Sequence, residues 1–212
     1  AGDAVRGAGG GTMKKIPSIF ERDWGGDRSR VTSRLIPGCE WVMYGEGVAT
    51  RKWDGTACLV RDNCLFKRYD AKTGRTPPAG FEPAQDVPDD VTGHWPGWLP
   101  VTDDPEDQWH REAWMHSGYF LPEGTYELVG PKVGGNPEHL EHHLLIRHGK
   151  DVLTLGWLPA KSANDLYDNL ASYLFVARIE GVVFWHPDGR MAKIKRRDFA
   201  LPWPLKIEVA NE

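Results

Sequence analysis

The sequence predicts an α+β fold built mainly on antiparallel sheet, and three observations carry that reading. Residues 55–61 and 64–69 are two short runs rich in apolar and β-branched residues, joined by the turn pair Asp62-Asn63. Residues 180–186 and 190–195 repeat the pattern about Pro187-Asp188-Gly189. Only one segment, roughly 163–177, shows a clear helical period. Hairpins that outnumber helices argue for an antiparallel sheet covered by one or two helices.

The elements follow in chain order. Residues 1–12 hold five glycines and no apolar run, and are expected to be a disordered leader. The first hairpin, 55–69, places Lys52 just before a strand, in a loop that a sheet would hold. Residues 75–108 carry seven prolines and read as an irregular surface excursion, anchored by Trp95 and Trp98. Residues 109–117 have the composition of a short helix. A strand over 123–130 follows the Pro122-Glu123-Gly124 turn. For the helix 163–177, Ser162 is the expected N-cap with Asp165 three residues on. Leu166, Leu170 and Leu174 repeat at four-residue spacing and should face the sheet.

At 212 residues the chain is long enough for one sizeable core. No run of about 18 apolar residues is present, so no transmembrane helix is expected, nor any membrane partner. Cys39, Cys58 and Cys64 form no C-x-x-C pair, which disfavours a disulfide framework or a structural zinc site and points to a reducing cytoplasm. The net charge of −4 argues superficially against a polyanionic partner, but eight acids and no Lys or Arg lie within residues 82–107. Basic residues gather instead at Arg61, Lys67, Arg68, Lys72 and Arg75, and again at Lys193, Lys195, Arg196 and Arg197. Such clusters are able to meet phosphates, or are solvated faces.

The residues with the most chemistry are Lys52-Trp53-Asp54-Gly55, Glu127, Glu180, Lys193 and Lys195. A free lysine is an ammonium with a pKa of about 10.4 and no nucleophile at neutral pH. Desolvation or neighbouring cations favour its neutral amine, a task arginine cannot perform. Gly55 permits close backbone approach. In a strand, Lys193 and Lys195 share one face, with Ile194 turned to the other. Glu180, Val182 and Phe184 share a face of the partner strand, so one surface is expected to hold a carboxylate and two ammonium groups. Buried lysines two apart repel unless an anion lies between them; a triphosphate is such an anion, and Glu180 is placed to hold the accompanying Mg²⁺. Glu127, between apolar neighbours, needs a partner if buried, for which a ribose hydroxyl is suited; an alternating strand would equally expose it. His139, His142, His143 and His148 lack metal-site spacing and read as surface or core histidines. Gly134-Gly135 fits no phosphate-loop pattern.

These pieces, in this order, resemble the covalent nucleotidyltransferase superfamily of ATP-dependent ligases and capping enzymes. Lys52-Trp53-Asp54-Gly55 looks like its motif I, with Lys52 the adenylated lysine. Arg68 resembles the motif Ia arginine, Glu127 the ribose-binding glutamate and Glu180 the metal-associated glutamate. Lys193 and Lys195 resemble the lysines that contact the nucleotide phosphate. Within the superfamily, Gly93–Val101, Glu127–Gly130, Gly135-Asn136-Pro137, His143–Gly149 and Glu180–Pro204 look most like the vertebrate-type 5′-to-3′ RNA ligase family. Arg51 departs from that pattern, standing where many ligases have Glu or Thr.

The resemblance implies a ligase adenylation domain, unrelated to ATP-grasp, over residues 13–212, with 75–108 as its proline-rich insertion. It implies ATP and Mg²⁺ (or Mn²⁺) as cofactors. Nucleotide would be bound by Lys52, Asp54, Gly55, Arg68, Glu127, Glu180, Lys193 and Lys195, with catalysis by Lys52, Lys193 and Lys195. The implied partner is RNA with 5′-phosphate and 3′-hydroxyl ends, as in RNA repair; no protein partner is expected. Arg196 and Arg197 are further candidates for RNA phosphates. The alternatives are another lysyl-nucleotidyltransferase (a DNA ligase or capping guanylyltransferase) or a non-catalytic RNA-end-binding module.

Overall fold

Short strands outnumber helices: eleven strands and three α-helices lie among the described residues. The computed structural model describes residues 15–90 and 92–206. The expected leader, 1–12, lies outside the described residues. In chain order the elements are β1 (Phe20–Arg22), β2 (Val31–Leu35), α1 (Glu40–Met43), β3 (Val48–Lys52), β4 (Thr56–Arg61), β5 (Cys64–Ala71), β6 (Glu82–Pro83), β7 (Trp95–Pro100), α2 (Gln108–His116), β8 (Gly124–Val129), β9 (Leu144–Arg147), α3 (Ala163–Val176), β10 (Gly181–Trp185) and β11 (Met191–Lys195). Every ladder between these strands is antiparallel. The α+β expectation holds. No helix among the described residues is long and apolar enough to cross a membrane.

The chain divides into two compact units. One comprises Asp54–Lys150 with Lys15 and Ile16; the other comprises Pro17–Trp53 with residues 151–206.

The first unit is a six-stranded sheet in the order β6-β7-β5-β4-β8-β9. Its β4–β5 hairpin turns at Asp62 and Asn63, both at positive φ, the conformation a two-residue hairpin loop demands and Asx residues tolerate. The strands alternate between two apolar layers. Cys58, Val60, Leu65, Tyr126 and Leu128 pack with Ala113 of α2, while Leu59, Phe66, Ala84 and Trp98 fill the other side. Residues 75–108 are not irregular throughout. Trp95–Pro100 forms β7, paired along its length with β5 and burying Trp98. Pro96 and Pro100 are compatible with this because only alternate N–H groups point at β5, and β7 meets β6 over just two residues.

The second unit holds a three-stranded sheet, β11-β10-β3, and the β1–β2 hairpin. Its core joins Ile19, Phe20, Trp41 and Val42 to Leu166, Leu170 and Leu174 of α3 and to Ala49, Val182, Phe184, Ala192 and Ile194 of the sheet. The leucine repeat is therefore the buried stripe of α3. Ser162 caps that helix by accepting a hydrogen bond from the Asp165 amide at 3.1 Å, and Asp165 accepts one from the Lys161 amide. The three cysteines are free: Cys39 and Cys58 are buried, Cys64 is exposed on β5.

Candidate active site

Lys52 is not in a loop. It is the last residue of β3, and pairing with β10 fixes its direction. The partners run Lys52↔Gly181, Thr50↔Val183 on one side of β10, and Gly181↔Lys195, Val183↔Lys193 on the other. Residues directly opposite in an antiparallel ladder project to the same side. Lys52, Gly181 and Lys195 thus form one transverse row, and Thr50, Val183 and Lys193 the next. All three lysines project from the same face of this sheet.

This corrects the expected grouping in one respect. Val182 and Phe184 project to the opposite, core-facing side with Ile194 and Ala192. Glu180 does not share a face with the lysines through strand alternation. It precedes Gly181, outside the strand, and its carboxylate reaches back to pair with the Lys52 ammonium. A one-residue difference in parity reverses every side chain, and the pattern of 180–185 alone does not reveal which set faces the lysines.

The row has a notch at its centre. A Cβ on Gly181 would run into the Ile194 carbonyl, so no other residue fits there without backbone movement. Burial, and then the charges of Lys195 and Lys52, pull the Lys193 ammonium down to about 8; Glu180 and Asp198 act in the other direction. Three ammonium groups with one carboxylate form a cluster that an anion would stabilise. The Lys195 backbone is held by Asp198, which accepts from the Lys195 amide at 2.8 Å and from Arg22 at 2.9 Å. Beside Lys52, the Arg51 guanidinium lies 3.6 Å from the Trp53 ring centre, and the Trp53 indole donates to Asp151.

The other expected residues belong to the first unit. Two consecutive amides of the Asp-Gly turn are each capped by a carboxylate. The Asp54 amide donates to Glu138 at 2.9 Å and the Gly55 amide to Glu127 at 3.0 Å. A Cβ at Gly55 would collide with the Leu128 carbonyl, which explains glycine at that position. Glu127 is only 8% exposed, and its second oxygen lies 2.8 Å from His148 Nε2. Its partners within the chain are thus a backbone amide and a histidine. The buried His148 Nδ1 makes no hydrogen bond. The neutral tautomer with its proton on Nε2 suits both facts, because it donates to Glu127 and leaves no buried N–H unpaired.

Arg68 pairs with Trp98 across the β5–β7 ladder, lies over its ring at 5.4 Å and donates to Asp70. Continuing the β4–β5 register by one residue sets Arg68 opposite Ala57, which in turn opposes Glu127. Glu127, Ala57, Arg68 and Trp98 therefore form a row on one face of the six-stranded sheet, with a small residue between the carboxylate and the guanidinium.

Sequence reasoning missed Glu138, His148, Asp151 and Asp198. For Glu138, His148 and Asp198 the available signal was a demand, because each pairs with a part-buried amide or carboxylate that required a partner, although its location in sequence was not implied; Asp151 meets the Trp53 indole at an exposed position and gave no such signal. His143 stacks on Trp109 with ring centres 4.7 Å apart and bonds Glu112. Among the described residues, no group of three His, Cys, Asp or Glu is arranged to hold a metal. Arg196 is not available to RNA. It is buried, and its guanidinium donates to the carbonyls of Leu174, Ala177 and Pro202, closing the end of α3. Arg197 donates to the Trp203 carbonyl.

The sequence has relatives. A family model described as RNA ligase 1 matches residues 118–212, a span containing Glu127, Glu180, Lys193 and Lys195 but not Lys52. An RNA ligase 1 of Danio rerio is 30% identical, the match covering 95% of this chain and 85% of that protein. The chain belongs to the RNA ligase 1 family. Family members from Pongo abelii (32% identical, covering 59% of this chain) and Rattus norvegicus (26%, covering 77%) also match. The chain spans 46% of the length of the Pongo abelii RNA ligase 1 and 70% of the Rattus norvegicus one.

Proposed function

We propose that this RNA ligase 1 family member is an ATP-dependent RNA ligase that works through an AMP-bearing lysine, and that residues 13–212 act as one adenylyltransferase domain with the nucleotidyltransferase fold. The observation that carries the reading is the sheet face on which Lys52, Lys193 and Lys195 converge beside Glu180. Mutual repulsion among three ammonium groups is relieved by a bound phosphate chain or by loss of a proton from one of them. The first effect binds nucleotide and the second creates the nucleophile.

In this reading the neutral Lys52 amine attacks the α-phosphorus of ATP. An N–P bond forms as the bond to pyrophosphate breaks, and the amine loses its remaining extra proton. An oxygen of an RNA 5′-phosphate then attacks that phosphorus, the N–P bond breaks as the Lys52 nitrogen takes up a proton and leaves as the amine, and RNA carries AMP through a new pyrophosphate linkage. Finally an RNA 3′-hydroxyl, losing its proton, attacks the RNA 5′-phosphorus and displaces AMP. Lys193 and Lys195 stabilise the negative charge at the transferring phosphorus. Asp54 and Gly55 shape the turn after the nucleophile, Glu127 accepts from the ribose, and Arg68 binds phosphate.

The residues fit Mg²⁺ or Mn²⁺ only in company with phosphate: the Glu180 carboxylate is already paired with Lys52, and no group of three potential ligands gathers with it among the described residues. Glu180 would be the protein's ligand to such an ion, which supplies neutralisation of phosphate charge when bound.

Intact mass after incubation with ATP and Mg²⁺ tests the reading. The expected result is one added AMP, absent in Lys52→Ala. A wild type that stays unmodified with ATP and GTP across metals favours an RNA-end-binding module. Sealing of nicked DNA as fast as RNA would point to a DNA ligase, and labelling by GTP alone to a guanylyltransferase.

A further inference from the structure

The β1–β2 connection presents an aromatic side chain and cations that the proposed chemistry does not use. Trp24 is 67% exposed, unusual for the largest apolar side chain. It does not hang from a loose strand end. The Arg22 guanidinium crosses the loop to the Ser29 carbonyl at 3.0 Å. Asp27 caps Ser29 through both its amide, at 2.9 Å, and its hydroxyl. The Arg30 amide donates to the Asp27 carbonyl. These bonds hold 22–30 in one shape, with Trp24 on its surface and Arg28 lying 5.9 Å from the Trp24 ring centre.

The Asp27 carboxylate bonds Ser29 and acts on Arg30 only at a distance. Among the described residues, Arg28 and Arg30 make no ion pair. The loop is also tied to the lysine row: Arg22 donates to Asp198, and Asp198 holds the Lys195 amide. The exposed indole and both arginines thus sit on a loop that begins at a fixed bridge to the end of β11.

An exposed indole beside arginines matches a single-stranded nucleic acid: a base stacks on the ring while cations meet the flanking phosphates. We propose that Trp24, Arg28 and Arg30 form a docking surface for a single-stranded segment of the RNA, outside the nucleotide-binding residues. This rests on the ligase reading for the identity of the polymer, but predicts an effect on RNA binding alone.

The test uses the full chain and a 5′-phosphorylated single-stranded RNA carrying 4-thiouridine. Irradiation should crosslink the loop, with Trp24 in the modified peptide. Trp24→Ala should weaken RNA binding roughly 5- to 100-fold, the loss expected when one stacked base is released, whereas Trp24→Phe should retain much of the affinity. Arg28→Ala with Arg30→Ala should flatten the dependence of log K on log salt by about 0.7 for each phosphate no longer neutralised. AMP transfer to Lys52 should be unchanged in all three variants. Unchanged RNA affinity and salt slope, with crosslinks mapping elsewhere, would overturn the surface. A wild type that binds RNA through this loop but takes up no AMP would instead overturn the ligase reading and leave the surface standing.

Discussion

Lys52 and Lys195 come from strands 143 positions apart in sequence, yet they stand in one row on either side of Gly181. The strands that carry them are each one ladder away from β10. Two long cationic side chains on one face, with a glycine at the position between them in the row and the Glu180 carboxylate at Lys52, form a notch that a phosphate chain is suited to meet.

The nucleophile's role is testable by charge-retaining replacement. Lys52→Arg keeps the cation and its partner Glu180 but cannot supply a neutral amine. It should fold, bind ATP within about tenfold of wild type, and gain no AMP by intact mass. Retained AMP transfer in Lys52→Arg would assign the nucleophile to another residue.

Lys193 should make stability depend on pH in a defined direction. Its pKa falls from 10.5 to about 8 on folding, so between these values the unfolded chain binds more protons than the folded one. Stability tied to this lysine therefore rises as pH climbs from about 8 to 10.5, and below 8 the buried ammonium imposes its full cost. Replacing it by Met should stabilise the chain by on the order of 2 kcal/mol at about pH 7, the gain fading as the unfolded-state lysine also loses its proton. Denaturant titrations of both proteins across this range provide the measurement. Phosphate-chain binding should also drive proton uptake in the wild type alone in the same alkaline window, visible by calorimetry in buffers of different ionisation enthalpy.

The turn after the nucleophile should depend on its carboxylate caps. Glu138→Ala leaves the Asp54 amide without its acceptor at a cost of about 1–3 kcal/mol, while Glu138→Gln restores an acceptor. AMP transfer should fall in the first and largely recover in the second. His148→Gln should likewise preserve a donor to Glu127 better than His148→Ala. A rise in KM for ATP exceeding any fall in kcat would distinguish loss of Glu127 positioning from general unfolding.

Arg196 should matter to stability and not to RNA. Arg196→Ala abandons the Leu174, Ala177 and Pro202 carbonyls, with an expected loss of about 2–4 kcal/mol in chemical denaturation. At a temperature where the variant remains folded, its salt-dependent RNA affinity should match wild type.

Local rules made part of this molecule legible. Asp62-Asn63 specified a two-residue hairpin, and Ser162 with Asp165 and three spaced leucines specified α3, because each signal lies within a few residues. β3 was missed because Val48–Lys52 is half polar and gains its order from Gly181–Trp185, far away in sequence. β7 was hidden by its prolines. Among the candidate site residues, the sharing of a face by Lys193 and Lys195 follows from spacing alone. The place of Glu180 does not, because strand register is a tertiary property. The same holds for Glu138 and His148: a turn amide and a buried carboxylate require partners without saying where along the chain they will be found.

The unequal exposure of the three thiols offers an experimental handle. Burial pushes the Cys58 thiol far up, and burial foremost also raises Cys39, so neither readily presents a thiolate. Cys64, open to solvent beside the Asp62-Asn63 turn, is the one a maleimide should modify first. A single fluorophore would then ride on the β4–β5 hairpin of an otherwise unaltered chain, on the same strand as Arg68, with no need for a cysteine-free background.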